Sequence, residues 1–202
     1  PPPTKYVEDV IFCRSTHRDT RVRDSMTPAT LYIFSGLPGV GKTTISRRLA
    51  SRMKAMHLRI DTIEQGLRDL CGMDVQAEGY VLAYRIAEDN LRLGISVAAD
   101  SCNPIDLTRR EWERVAVDSG GNYVNIEVIC SDLDEHQRRV EKRGETLDGL
   151  EVPSWEEVRK REYHTWAQER IVIDTAGKQI AECVDELFSK LVERSIISPP
   201  GR

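Results

Sequence analysis

A glycine-rich turn set between a β-prone run and an amphipathic segment constrains this chain more than any other feature. Residues 31–35 (LYIFS) are of strand length and stop at Gly36, and after the turn Ile45, Leu49 and Met53 recur at helical spacing. The turn itself reads Gly36-Leu37-Pro38-Gly39-Val40-Gly41-Lys42-Thr43-Thr44, a match to G-x-x-x-x-G-K-[ST] with strand before and helix after. Residues with a Cβ resist so tight a path, whereas glycines let successive N–H groups and the following helix N-terminus converge on a phosphate. Lys42 can then reach β- and γ-phosphoryl oxygens, and the Thr43 hydroxyl can ligate Mg²⁺. The residues from Gly36 to Thr44 are therefore expected to hold ATP.

The rest of the chain repeats the alternation. Short apolar runs at 57–60, 95–99 (ISVAA), 123–130 (YVNIEVIC) and 170–174 (RIVID) are separated by longer segments with a 3.6-residue period. Tyr80, Tyr84, Ala87 and Leu91 line one face of a helix over 76–93, with Gly94 as its C-cap. Thr108 with Glu111, and Ser154 with Glu157, read as capping boxes, the first opening a helix that Gly120 and Gly121 close. A charged helix spans 132–143, and Ile180, Cys183, Val184, Leu187, Phe188 and Leu191 form the inner stripe of the last one. Five strands with intervening helices predict an α/β domain whose parallel sheet is covered on both faces. Ligands of such sheets gather at the carboxyl ends of the strands. With 202 residues there is room for one domain, placed at 30–193. Residues 1–29 read as a mobile or loosely docked extension, with 9–13 as a competing edge strand, and 194–202 as a flexible tail.

Composition narrows the partners. No apolar run approaches the roughly 18–20 residues of a membrane span. The balance of 29 Lys+Arg against 33 Asp+Glu argues against a general nucleic-acid binder, which would present a basic face. The 5 cysteines are scattered and never spaced as CxxC, which fits neither a disulfide framework nor a zinc site. The opening PPPTKYVEDV lacks an apolar core with a cleavage site, so the expected location is the cytoplasm.

Two aspartates fall where the strands release their ligands: Asp61 after the second run and Asp100 after the third. A carboxylate there can take a proton from a substrate hydroxyl or hold a magnesium water. Each also has a plain structural reading, Asp61 with Glu64 as a helix cap and Asp100 as the cap of a turn. The turn, IDTIE, ADSCNP-x-x-x-T-R-R-x-W and an arginine-bearing charged helix follow in one order over residues 30 to 192. That order resembles small P-loop kinases of the polynucleotide-kinase and chloramphenicol-phosphotransferase type, relatives of zeta toxins and gluconate kinases with an adenylate-kinase-like fold. The resemblance implies that Asp61 is the general base toward an acceptor hydroxyl and that Asp100 supports the metal or nucleophile. It also implies that residues 175–177 border the adenine. One departure stands out: Glu64 occupies the place of an arginine that contacts substrate phosphate in the phage polynucleotide kinase. A carboxylate there repels a nucleic-acid backbone.

Arg139 and Arg143 lie four residues apart on the charged helix, which leads into a Gly-containing stretch ending at Pro153. In similar kinases such a lid, here about 138–153, closes over ATP, and its arginines stabilise the transferring phosphoryl group. The competing reading is a solvated face with Glu135 paired to Arg139. Trp112, Trp155 and Trp166 are expected as half-buried packing residues, and the histidines show no ligand spacing. The residues thus point to an ATP- and Mg²⁺-dependent phosphotransferase acting on a small hydroxyl-bearing molecule. Lys42, Asp61, Asp100, Arg139 and Arg143 are its expected catalytic groups, with Thr43 and Asp100 on the metal. The rivals are a nucleotide-driven ATPase or switch, a nucleic-acid 5′-hydroxyl kinase, and a toxin kinase acting on a nucleotide sugar.

Overall fold

A computed structural model describes residues 28–144 and 153–198. Five strands, β1 (Thr30–Ser35), β2 (Met56–Arg59), β3 (Val97–Asp100), β4 (Asn122–Ile129) and β5 (Ile171–Asp174), form one sheet in the order β2-β3-β1-β4-β5. Every pairing is parallel; β1 at the centre sets Phe34 beside Asp100 on one flank and Ser35 beside Glu127 on the other. All six residues of β1 are buried, as a central parallel strand requires. Its side chains alternate between two cores. Tyr32 and Phe34 enter a cluster with Ile45 and Leu49 of α1 (Lys42–Met53) and Leu187, Phe188 and Leu191 of α7 (Ile180–Glu193). Leu31 and Ile33 enter a second cluster with Tyr84 and Ala87 of α3 (Glu78–Arg92) and Trp112 and Val115 of α4 (Asp106–Asp118). Each fully buried Leu, Ile or Phe contributes about 1.5–3 kcal/mol of transfer free energy, so both faces fix the strand register.

The remaining helices frame the carboxyl edge of the sheet: α2 (Ile60–Cys71), α5 (Leu133–Gly144) and the short α6 (Trp155–Lys160). The capping box of Ser154 and Glu157 is present at α6. That of Thr108 and Glu111 is not: α4 starts at Asp106, the Thr108 hydroxyl donates to the Ile105 carbonyl, and Glu111 pairs with Arg114. Nor does Asp61 cap α2, whose N-cap is Arg59 without a side-chain bond. Trp112 is fully buried rather than half-buried, because its indole N–H donates to Asn103 Oδ1 inside the second core. At the far end Ile196 and Ile197, assigned by sequence to a flexible tail, pack against the first cluster. The extension 1–27 and the lid stretch 145–152 lie outside the described residues. Among the described residues no helix is long and apolar enough to cross a membrane.

Candidate nucleotide and phosphoryl-transfer site

The glycine-rich turn joins β1 to α1 at the carboxyl edge, with Gly41 as the N-cap of the helix. Gly36 has φ 141°, and a Cβ there would lie 2.2 Å from the Val128 carbonyl oxygen, so no other residue fits between β1 and β4. Its N–H donates to the Cys102 carbonyl at 3.1 Å, which ties the turn to the loop after β3. Lys42, Thr43 and Thr44 form the first turn of α1, where orphan N–H groups and the helix dipole favour an anion.

Asp100 ends β3 beneath this turn and is 2% exposed. Burial alone would push its carboxyl upward. The imidazole of His57, the Lys42 ammonium and the Thr43 hydroxyl outweigh that and hold it below the usual carboxylate range. The imidazole comes from β2: His57 Nε2 lies 3.7 Å from Asp100 Oδ2 and 3.0 Å from Ser46 Oγ. Ser46 donates its own proton to the Thr43 carbonyl, so its oxygen accepts from His57 and the proton sits on Nε2. Two residues on, Arg59 faces the same way. Its Nη2 donates to Asp61 Oδ2 at 2.9 Å, and its Nε lies 3.9 Å from Asp100 Oδ2. One guanidinium thereby brings the two sequence-predicted carboxylates to one corner of the site. Arg59 Nε and Asp100 Oδ2 are buried without a hydrogen-bond partner among the described residues.

Asp61 lies in the first turn of α2 rather than at the end of a strand, and its side chain is 53% exposed. Next to it Glu64 lies over Gly79 of α3 and pairs with Arg68 at 3.4 Å. Burial raises the Glu64 carboxyl, an effect that Arg68 opposes and the charge of Asp61 reinforces. Tyr84 is core, while the Tyr80 hydroxyl accepts the Asn103 N–H at 3.2 Å and so braces the loop after β3. Asn103 holds φ 44°, a conformation sustained by its amide bonds to the Phe34 carbonyl and Ser35 hydroxyl. The neighbouring Arg109 is fully buried, donates to the carbonyls of Asn103, Pro104 and His164, and stacks on Trp166.

On the other flank, Arg139 is engaged rather than extended. It donates to Thr175 Oγ1 at 2.7 Å and the Thr175 carbonyl at 3.0 Å, and pairs with Glu135 at 2.6 Å. Thr175 follows β5 and touches the turn, its Oγ1 3.0 Å from the Val40 carbonyl. The side chain of Arg143 lies outside the described residues. Sequence reasoning missed His57 and Arg59, although an i, i+2 basic pair on a strand that runs into an acidic helix start was a usable signal. It also missed His136 on α5, which nothing but tertiary contact marks. A cavity of about 640 Å³ lined by Tyr123, Asn125, Gln168 and Arg170 opens near the start of β4, at the opposite edge from the turn.

Comparison with known proteins places the chain in a family and a fold. The model of the family described as AAA domain matches residues 31–162, well over half of the chain. An adenylyl-sulfate kinase of Synechococcus is 25% identical over 176 residues, covering 78% of this chain and 91% of its own. The crystal structure of a gluconokinase from Sinorhizobium meliloti superposes with a TM-score of 0.61 at 14% identity, covering 84% of this chain and 94% of that one. The Mycobacterium tuberculosis APS kinase CysC, solved with AMPPNP and APS, gives 0.59 at 18% identity over 82% of this chain and 99% of its own.

Proposed function

This chain belongs to the AAA domain family, and on that premise we propose that it is an ATP-dependent kinase transferring the γ-phosphoryl group to a hydroxyl of a small molecule. The observation that carries this reading is the Arg59 guanidinium, which gathers Asp61 and Asp100 beside the phosphate turn. A site that only binds or hydrolyses nucleotide has no need of a second, exposed carboxylate at that corner.

In this reading the turn amides and Lys42 hold the triphosphate. Arg59 fixes Asp61 by its Oδ2, and the carboxylate orients the acceptor hydroxyl and takes its proton. The acceptor oxygen bonds to the γ-phosphorus as the bond to the β-phosphate oxygen breaks, and ADP leaves. Little covalent chemistry falls to the protein; positioning and charge do the work. Among the described residues no cluster of three or more His, Cys, Asp or Glu could cage a metal. The donor set fits Mg²⁺ nonetheless, since that ion is commonly bound by one or two carboxylates together with substrate phosphates. Thr43 and the buried, ionised Asp100 would hold it, and it would neutralise charge on the β- and γ-oxygens.

Charge at this corner narrows the acceptor. Asp61 discourages a polyanionic strand, while Arg59, paired with it, leaves the corner suited to a small polar ligand. The test is label transfer from γ-labelled ATP to a panel holding adenylyl sulfate, gluconate, other sugars, AMP and a 5′-hydroxyl oligonucleotide. Label appearing on one small molecule, well above acceptor-free hydrolysis, is the expected result. Label on the oligonucleotide alone would make the protein a nucleic-acid kinase. Hydrolysis indifferent to every acceptor would make it an ATPase.

A further inference from the structure

His136 belongs to no motif, yet it is 4% exposed and its Nε2 lies 2.7 Å from the Pro38 carbonyl, in the middle of the phosphate turn. A carbonyl only accepts, so Nε2 carries the proton and donates. We propose that His136 is a positioning residue for nucleotide binding: by holding the Pro38 carbonyl outward it aims the Gly39 N–H inward at the phosphate chain. This rests on the reading of the turn as a nucleotide site, though on no particular acceptor.

The argument is one of peptide geometry. Peptide bonds are trans throughout the described residues, so the C=O of Pro38 and the N–H of Gly39, which share one peptide plane, point to opposite sides. Fixing either one fixes the other. The same device repeats two residues on, where the Thr175 hydroxyl, its one proton shared between the Val40 and Ile129 carbonyls at 3.0 Å each, faces the Val40 carbonyl and so turns the Gly41 N–H inward. Arg139 steadies Thr175 from α5. His136, Arg139 and Val140 are spaced i, i+3, i+4 on α5, so a single helical face clasps the outside of the turn. Gly39 is the residue that lets this face approach: at φ 87°, a Cβ would lie 2.5 Å from Val140 Cγ2. The imidazole also meets the ring of Trp155 edge-on at 5.0 Å, at the start of α6. The brace on the turn is therefore continuous with both helices that flank the 145–152 stretch. Without such braces, a glycine-rich loop would spend conformational entropy on each amide it had to orient at the moment of binding.

The test compares His136→Phe, which keeps a ring against Trp155 but has no donor, with His136→Gln, which restores an N–H. MgADP affinity is measured by calorimetry and the amide resonances of Gly39 and Gly41 are followed on titration. Loss of one such hydrogen bond predicts MgADP binding about fivefold weaker in His136→Phe, with at least half of the loss recovered in His136→Gln. The Gly39 amide should lose most of its ligand-induced shift in His136→Phe, while that of Gly41, held by Thr175, should keep it. Unchanged MgADP affinity in His136→Phe would overturn the proposal, as would equal losses at Gly39 and Gly41. Should His136→Phe not fold, the imidazole ¹⁵N shifts of the wild-type protein decide: a proton on Nε2 is required, and a proton on Nδ1 alone overturns the role. A wild-type protein that takes up no MgADP overturns both this inference and the kinase reading. One that binds MgADP yet phosphorylates no acceptor overturns only the latter.

Discussion

On the donor side of the sheet the carbonyls of Pro38 and Val40 each meet a side-chain donor, and the Gly36 N–H meets the Cys102 carbonyl. On the side proposed for the acceptor, Arg59 holds Asp61 at 2.9 Å while its Nε, 3.9 Å from Asp100 Oδ2, is buried without a hydrogen-bond partner among the described residues, and Asp61 stands half in solvent. Glu64 beside it is forced by burial toward its neutral form. The two halves follow opposite physical rules. The donor half is assembled before its ligand arrives and so loses little entropy on binding. The acceptor half leaves Arg59 Nε buried without a hydrogen-bond partner among the described residues, which costs about 1–3 kcal/mol until something supplies one. On the proposed reading, preorganisation goes with the nucleotide that any such kinase shares, and the exposed carboxylate of Asp61 with the acceptor that sets its selectivity.

The largest effect should fall on the acceptor side. Asp61→Asn removes the proton acceptor while keeping the size of the group and one oxygen toward Arg59. Turnover should drop by roughly 10²–10⁴, about 3–5 kcal/mol of barrier, with MgATP affinity unchanged in calorimetry. Equal turnover in the two proteins would remove Asp61 from the chemistry. Next in size is Gly36→Ala on the donor side. The new Cβ would meet a backbone carbonyl that cannot swing away. A loss of roughly 3 kcal/mol in chemical denaturation is expected, together with loss of nucleotide binding. Tight MgATP binding that survived Gly36→Ala would show that the turn is softer than its contacts imply.

The same division explains what could be read from the amino-acid order. The turn was legible because its chemistry is local: eight consecutive residues, Gly36 to Thr43, carry both the backbone path and the ligands. The strands were legible because a buried parallel strand is a short apolar run, although β2 and β3 shifted by one or two residues where Ile60 joined α2 and Ile95 proved exposed. Arg59 was invisible in its role because its two carboxylates are reached through the fold, one of them 41 positions away in the chain (100 − 59). His136 lies 98 residues from Pro38, and a single histidine on a charged helix carries no periodic signal. Arg139 shows the same limit: its helix face could be read from spacing, but whether the guanidinium serves a lid or the Thr175 loop could not, and in this structure it lies on Thr175 and Glu135.

Glu64 offers a milder probe of the strained half. Because its folded-state pKa lies above its ordinary value of 4.5, the stability linked to it is full below that value and is lost as pH rises through the folded value. Glu64→Gln should therefore raise the Tm at pH 7, by an amount that shrinks to nothing in acid below 4.5. A lower Tm at neutral pH would mean that the ion pair with Arg68 outweighs desolvation and that this corner is not strained at all. The smallest effect is reserved for Gly66, in the interior of α2, where an added Cβ would meet nothing within 4 Å. Gly66→Ala should add about 0.5–1 kcal/mol of stability, the ordinary cost of a helical glycine. If turnover stays level while stability rises, the tension on the acceptor side is confined to its charges. If the stiffer helix instead turns over more slowly at unchanged MgATP affinity, α2 must bend to bring Asp61 onto the acceptor, and the contrast between the two halves extends from electrostatics to backbone motion.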